Sequence, residues 1–287
     1  MTFLRRILKH YGSTLDRAVD RRTLPRDRFI ELLGELGCRP GATVMIHSSM
    51  SEIRRRVPGL TPQKLIGILQ ELLGSAGTLL MPTFPFLGRQ MSYVDAHNEF
   101  NIETTPSLTG ALTEVFRQTP GVIRSWHPTH SVAGWGRHAR ELLSTHHLGP
   151  TFGRTSPFYK LREYNGVVIG LGTRLRNAFT ILHVPEELHP AARELAFDPR
   201  PRRMTIVNGS DSFVYEFRVM RTDVNREYAR VEQILLREGV LRYLQVGGLQ
   251  CAATHADAYI HRGLRLASEN AYMLRTYHSL VPSAKSA

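Results

Sequence analysis

Three pieces of one stretch decide the fold: VMIH at residues 44–47, TPQKLIGILQELL at 61–73 and GTLLMP at 77–82. The outer two are short apolar runs of the kind that buried strands use. The middle one spaces its apolar residues for one helix face and puts Pro62 in the first turn, where a missing N–H is tolerated. Strand, helix and strand in this order predict an α/β fold with a mostly parallel or mixed sheet. The alternation continues outward. Residues 26–37 (RDRFIELLGELG) read as an amphipathic helix, 110–118 and 136–145 as helical, and 167–171 (VVIGL) as an apolar strand ended by Gly172. Residues 204–219 read as a hairpin turning at Asn208, Gly209 and Ser210, and 226–238 as a helix. Residues 26–280 form one predicted α/β domain and 281–287 a frayed tail.

The chain has 287 residues, 42% of them hydrophobic and 22% charged, which excludes disorder, collagen-like repeats and a mini-protein. Its net charge of +12 predicts attraction to anions without naming one. Eight Arg and Lys against three Asp lie within residues 1–28, and the apolar residues there recur at helical spacing. A basic amphipathic helix over 1–25 is expected, packed on the domain or touching an anionic membrane surface. Two cysteines, Cys38 and Cys251, are too few for a disulfide framework, and no run of 18–20 apolar residues occurs. The expected location is the cytoplasm, with residues 1–28 offering peripheral contact at the inner face of the membrane. No aromatic patch suited to nucleic acid is evident.

Several kinds of chemistry lack their signatures. The 13 histidines fall mainly on loop-like segments, and no HExxH occurs, so no metal is expected. G-x-S-x-G, the P-loop and the dinucleotide glycine pattern are absent, and Ser48–Ser49 after the first strand is a poor substitute for a nucleophile elbow. His127 reads as a structural residue tying its loop to the backbone beside Pro128, and His130, His146 and His147 as surface or pocket-rim residues. More informative is TILHVPEE at 180–187. If helical, it sets Glu186 three residues after His183, able to orient the imidazole as a general base, with the hydroxyl of Thr180 on the same face.

These residues belong to an ordered series: VMIHSSM (44–50), GTLLMPT (77–83), PGVIRSWHP (120–128), FGRTSP (152–157), VVIGLG (167–172) and TILH with Glu186. The series resembles the aminoglycoside 3-N-acetyltransferase family, closely over residues 28–190 and loosely beyond. The resemblance implies an α/β fold peculiar to that family, a mixed sheet flanked by helices, distinct from the common small N-acetyltransferase fold. It also implies acetyl-CoA as acyl donor, held in a cleft. His183 then corresponds to the general base, Glu186 to the carboxylate that orients it, and Thr180 to the hydroxyl that bonds the thioester oxygen. His47, Ser48, Ser49 and Met50, with Arg124, Ser125 and Ser131, correspond to the stretches that hold CoA.

One departure bears on the acceptor. Basic residues interrupt the acids in EFRVMRTD (216–223), and Arg174, Arg176, Arg200, Arg202 and Arg203 lie nearby in sequence. An arginine-rimmed pocket repels a polycation. The expected acceptor is therefore an amino or hydroxyl group of a negatively charged sugar, nucleotide- or lipid-linked, as in surface-glycan assembly. The alternatives are aminoglycoside N-acetylation conferring resistance, and a non-catalytic membrane-binding protein. A homodimer is left open.

Overall fold

The computed structural model describes residues 23–269 and 274–276. The predicted N-terminal helix, apart from its last residues, and the tail at 281–287 lie outside them. The strands are β1 (Thr43–Ser48), β2 (Thr78–Pro82), β3 (Glu99–Asn101), β4 (Ile123–Arg124), β5 (Val132–Gly136), β6 (Val167–Leu171), β7 (Arg202–Asn208), β8 (Asp211–Phe217), β9 (Val224–Arg226), β10 (Leu241–Val246), β11 (Leu249–His255) and β12 (Leu274–Thr276).

A seven-stranded sheet runs in the order β10-β11-β6-β1-β2-β5-β4. Only its centre is parallel: β1 pairs in parallel with β2 on one side and β6 on the other. Antiparallel strands flank this trio, β5 and β4 beyond β2, and β11 and β10 beyond β6. The sheet is therefore mixed, as expected, and flanked by helices. Both of its faces are buried, which is why the parallel strands read as continuous apolar runs. Along β1, Val44 and Ile46 enter one core while Met45 enters the other; along β2, Leu79 and Met81 oppose Leu80. The first core is covered by the helices Arg26–Leu36, Met50–Arg56, Pro62–Leu73 and Ala111–Arg117, whose apolar faces are buried in it.

Most predicted elements form close to their predicted bounds. The segment 136–145 differs: its helix covers only Ala139–Leu143, because Gly134 and Gly136 belong to β5 paired with β2. The β10–β11 hairpin and the helix Ala256–Ser268 were not anticipated.

A smaller sheet, β3-β7-β8, carries its own core of Phe100, Met204, Ile206, Tyr215 and Phe217. Arg124 ties this sheet to the large one. Its guanidinium lies 4.7 Å from the Phe100 ring centre and donates to Thr83 O, Ile102 O and Thr105 O, and to the hydroxyls of Thr83 and Ser131. Burial, with Arg117 nearby, lowers its pKa to about 9.

Among the described residues, four histidines lie inside the fold. His127 accepts from the backbone N–H groups of Thr129 and His130, and His146 bonds Ser125 Oγ at 2.9 Å. Their rings stack at 4.4 Å. His47 and His130 are buried as well. Burial lowers the pKa of His47 and His146 to about 3 and that of His127 and His130 well below 6.5. A base whose folded-state pKa is depressed contributes stability that is fully present above its unfolded value near 6.5 and lost as pH falls below it. Each of the four should contribute about 1.4 kcal/mol per pH unit in that window. Lowering pH from 7 to 5.5 should thus remove about 5 kcal/mol, read as a drop in the urea midpoint. An unchanged midpoint would mean that these rings protonate without unfolding.

Candidate active site

The carboxyl ends of the parallel strands mark a topological switch point, since the chain leaves β1 toward β2 on one side and later returns to β6 on the other. Ligand clefts form at such points. A cavity of about 350 Å³ opens here, lined by His47 and Ser48 at the end of β1, Pro82 at the end of β2, Thr173 after β6, and Phe84 and Thr109. His47 is held by its neighbours in the sheet. It stands opposite Gly170, and its ring stacks on Phe179 at 5.3 Å between centroids. Glycine is required at 170, because a Cβ there would come within 2.6 Å of Phe179 Cε1 and 3.0 Å of Thr173 O. Nε2 of His47 is sealed from solvent with no protein partner. A buried polar atom left unbonded beside a cavity costs about 1–3 kcal/mol unless a ligand satisfies it.

Two residues beyond His47 and Ser48 are used differently. Ser49 caps the helix Met50–Arg56 by accepting from Glu52 N, and its own N–H donates to Leu171 O at 2.9 Å. Met50 packs into the core. Of the four residues expected at this strand end, His47 and Ser48 line the cavity.

The second half of the site lies on a short 3₁₀ turn, Thr180–Leu182, running into the helix His183–Leu188. One helical turn separates His183 from Glu186, and Nδ1 of the imidazole lies 2.9 Å from Glu186 Oε2. The other carboxylate oxygen, Oε1, accepts from Arg226 Nε at 3.2 Å. Burial alone would raise the pKa of Glu186, which is 0% exposed, but His183 and Arg226 outweigh it and hold the carboxyl below its ordinary range. A carboxylate only accepts hydrogen bonds. It therefore fixes the neutral imidazole as the Nδ1–H form, with its lone pair on Nε2.

His183 and Thr180 open onto a cavity of about 360 Å³, lined also by His130, Arg89, Arg176, Arg221, Arg226 and Tyr228. Phe84, Phe86, Gly88, Asn177 and Ala178 line both this cavity and the one at the strand ends, so the two adjoin.

Other expected residues are not brought to the cleft. Arg124, Ser125 and Ser131 are buried, and their polar groups bond within the protein: Arg124 as described, Ser125 Oγ with Val132 N and His146, Ser131 Oγ with Thr83. His127 has the structural role expected of it. His146 is buried against Phe158 rather than at the surface or a pocket rim, whereas His130, buried against Phe84 and Phe152, does reach the wall of the cavity beside His183. Arg200, Arg202 and Arg203 pair with Asp198, Asp95 and Glu216 and do not line the cavity beside His183. Arg174 donates to Gln250 Oε1. Sequence reasoning missed Arg226, which lies 40 residues from its partner with no local pattern to announce it, and also Arg89 at the rim, whereas Arg176 and Arg221, both singled out as basic residues near the acceptor, do line the cavity. Among the described residues no group of His, Cys, Asp or Glu could hold a metal ion, and no helix is long and apolar enough to cross a membrane.

The chain matches a family described as aminoglycoside 3-N-acetyltransferase over residues 45–266. It is 33% identical to aminoglycoside N(3)-acetyltransferase VII of Streptomyces paromomycinus over 61% of this chain and 63% of that relative. To aminoglycoside N(3)-acetyltransferase IX of Micromonospora chalcea it is 28% identical over 82% and 88%. The crystal structure of aminoglycoside acetyltransferase AAC(3)-Xa superposes with a TM-score of 0.71 at 27% identity, covering 86% of this chain and 94% of that one. With its mixed sheet, its switch-point cleft and this match, the chain belongs to the aminoglycoside 3-N-acetyltransferase family.

Proposed function

We propose that this protein transfers the acetyl group of acetyl-CoA to an amino group of a sugar, with His183 as base. The observation that carries this reading is the buried chain Arg226–Glu186–His183, which ends with Thr180 in a cavity adjoining the strand-end cavity. The cavity fits the donor's arm, since His47 Nε2 is buried and unpartnered at its wall. The bound donor supplies an acyl group already activated as a thioester, so no nucleophile of the protein is needed.

Nε2 of His183 takes a proton from the acceptor nitrogen as the new C–N bond forms and the C–S bond breaks, and then returns that proton to the departing thiolate. Glu186 stabilises the imidazolium in between. The hydroxyl of Thr180 donates to the carbonyl oxygen while that oxygen carries negative charge. Arg226 holds Glu186 ionised and in place, and its remaining donors brace Arg221 O and Ala196 O.

The named relatives are aminoglycoside N(3)-acetyltransferases, so an aminoglycoside amine is the first acceptor class. A second reading rests on charge. Arg89, Arg176, Arg221 and Arg226 line the cavity beside His183 with no Asp or Glu among its lining residues; Arg221 and Arg226 are paired with Asp223 and Glu186, which leaves Arg89 and Arg176 to meet a ligand. Such a rim favours an amino sugar bearing a phosphate or carboxylate. CoA release measured with gentamicin and with a nucleotide-linked amino sugar separates the two: a higher kcat/KM for the first supports antibiotic acetylation, for the second the anionic acceptor.

His183→Gln should lower kcat by roughly 10²–10⁴-fold while acetyl-CoA binding measured by calorimetry stays within a few-fold of wild type. Thr180→Val should lower kcat about 10²-fold or more. Turnover of His183→Gln equal to wild type would falsify the assignment of the base.

A further inference from the structure

His130 lines the same cavity as His183, and both pack on Phe152: the two imidazole centroids lie 4.9 and 5.1 Å from that ring. Nothing in the reaction as derived above uses it. Its tautomer can nevertheless be read from a chain of buried hydrogen bonds that starts at a group with only one possible polarity. The backbone N–H of Met220 donates to Gln90 Oε1 at 2.9 Å. This orients the Gln90 amide, so its Nε2 donates to Thr129 Oγ1 at 2.9 Å. With that lone pair engaged, the hydroxyl proton of Thr129 is free to donate to His130 Nδ1 at 3.0 Å, its only hydroxyl acceptor seen among the described residues. Gln90, Thr129 and His130 are all buried, so water does not compete for these bonds. The proton of the neutral ring then resides on Nε2, for which no protein partner is seen.

Resting on the function proposed above, we infer that His130 is a positioning residue for the acceptor, its Nε2–H donating a hydrogen bond to an oxygen atom of the bound sugar. Two observations place it on the acceptor side of the cleft. His130 lines the cavity with Thr180, His183, Arg89 and Arg221, and it does not line the strand-end cavity that holds His47. The polarity selects the ligand atom: a ring fixed as an N–H donor offers nothing to an ammonium group, which has only protons to give, and matches a hydroxyl, ring or glycosidic oxygen. His183 and His130 therefore face one sugar with opposite polarity, a lone pair for its amine and a proton for its oxygen. The aromatic rings of Phe84 and Phe86 edge His130 at 4.6 and 5.6 Å, which limits its swing.

The test uses the full chain with acetyl-CoA and three acceptors: gentamicin, a nucleotide-linked amino sugar and glucosamine. Nitrogen-15 imidazole shifts read the tautomer directly. An unprotonated Nδ1 and a protonated Nε2 on His130, unchanged from pH 8 to pH 6, are expected in wild type, and Gln90→Met should disturb that pattern. In steady state, His130→Phe should raise the acceptor KM about 10- to 100-fold, the range for losing one buried hydrogen bond, with the acetyl-CoA KM unchanged. His130→Gln, whose side-chain amide can reach the position of Nε2, should recover most of that loss. An Nδ1-protonated ring overturns the inference, as does an acceptor KM that His130→Phe leaves at the wild-type value, or equal losses in the Phe and Gln variants. Absence of CoA release by wild type with all three acceptors instead overturns the reading of the site, and this inference with it.

Discussion

The organisation of the site depends on a single buried carboxylate. Glu186 is fully enclosed, and an ionised group there is tolerable only because both of its oxygens are engaged, one by His183 and the other by Arg226. That requirement reaches across the chain. It draws β9, which supplies Arg226, against the helix His183–Leu188, and it orders the segment from Ala196 to Arg221 through the other donors of the same guanidinium. Removing either partner leaves an uncompensated charge in the interior, so stability and chemistry are bound together at this point.

Charge elsewhere is handled by pairing. Arg200, Arg203, Arg218 and Arg262 each meet a carboxylate, and Arg124 is satisfied by carbonyls and hydroxyls in the junction of the two sheets. The charge excess is therefore a poor guide to ligands when read as a total. What matters chemically is the part that faces the cleft without a facing acid, at Arg89 and Arg176.

The fold was legible because its decisive signals are local. Strands buried on both faces read as apolar runs, and the helix 62–73 announces itself by spacing and by Pro62. The pair His183 and Glu186 was legible for the same reason, being one helical turn apart. Strands β5 and β11 were not, since their partners β2 and β6 lie far away in sequence and decide their conformation. Arg124 illustrates the limit best. Its type and its motif suggested an anion ligand, but only the three-dimensional structure shows that five oxygen acceptors already surround it. Likewise the surroundings of His130 and Arg226 depend on Gln90 and Glu186, brought to them by packing rather than by any pattern along the chain.

The arginines that rim the cleft stand on short connecting pieces from three distant parts of the chain: Arg89 just before the helix Gln90–Ala96, Arg176 in the turn after β6, and Arg221 between β8 and β9. His183 and Glu186 instead share one braced helix. Such a separation lets the recognition surface drift by single exchanges while the reaction stays intact. One scaffold can in this way be redirected among ligands of different charge by the exchange of a handful of loop residues.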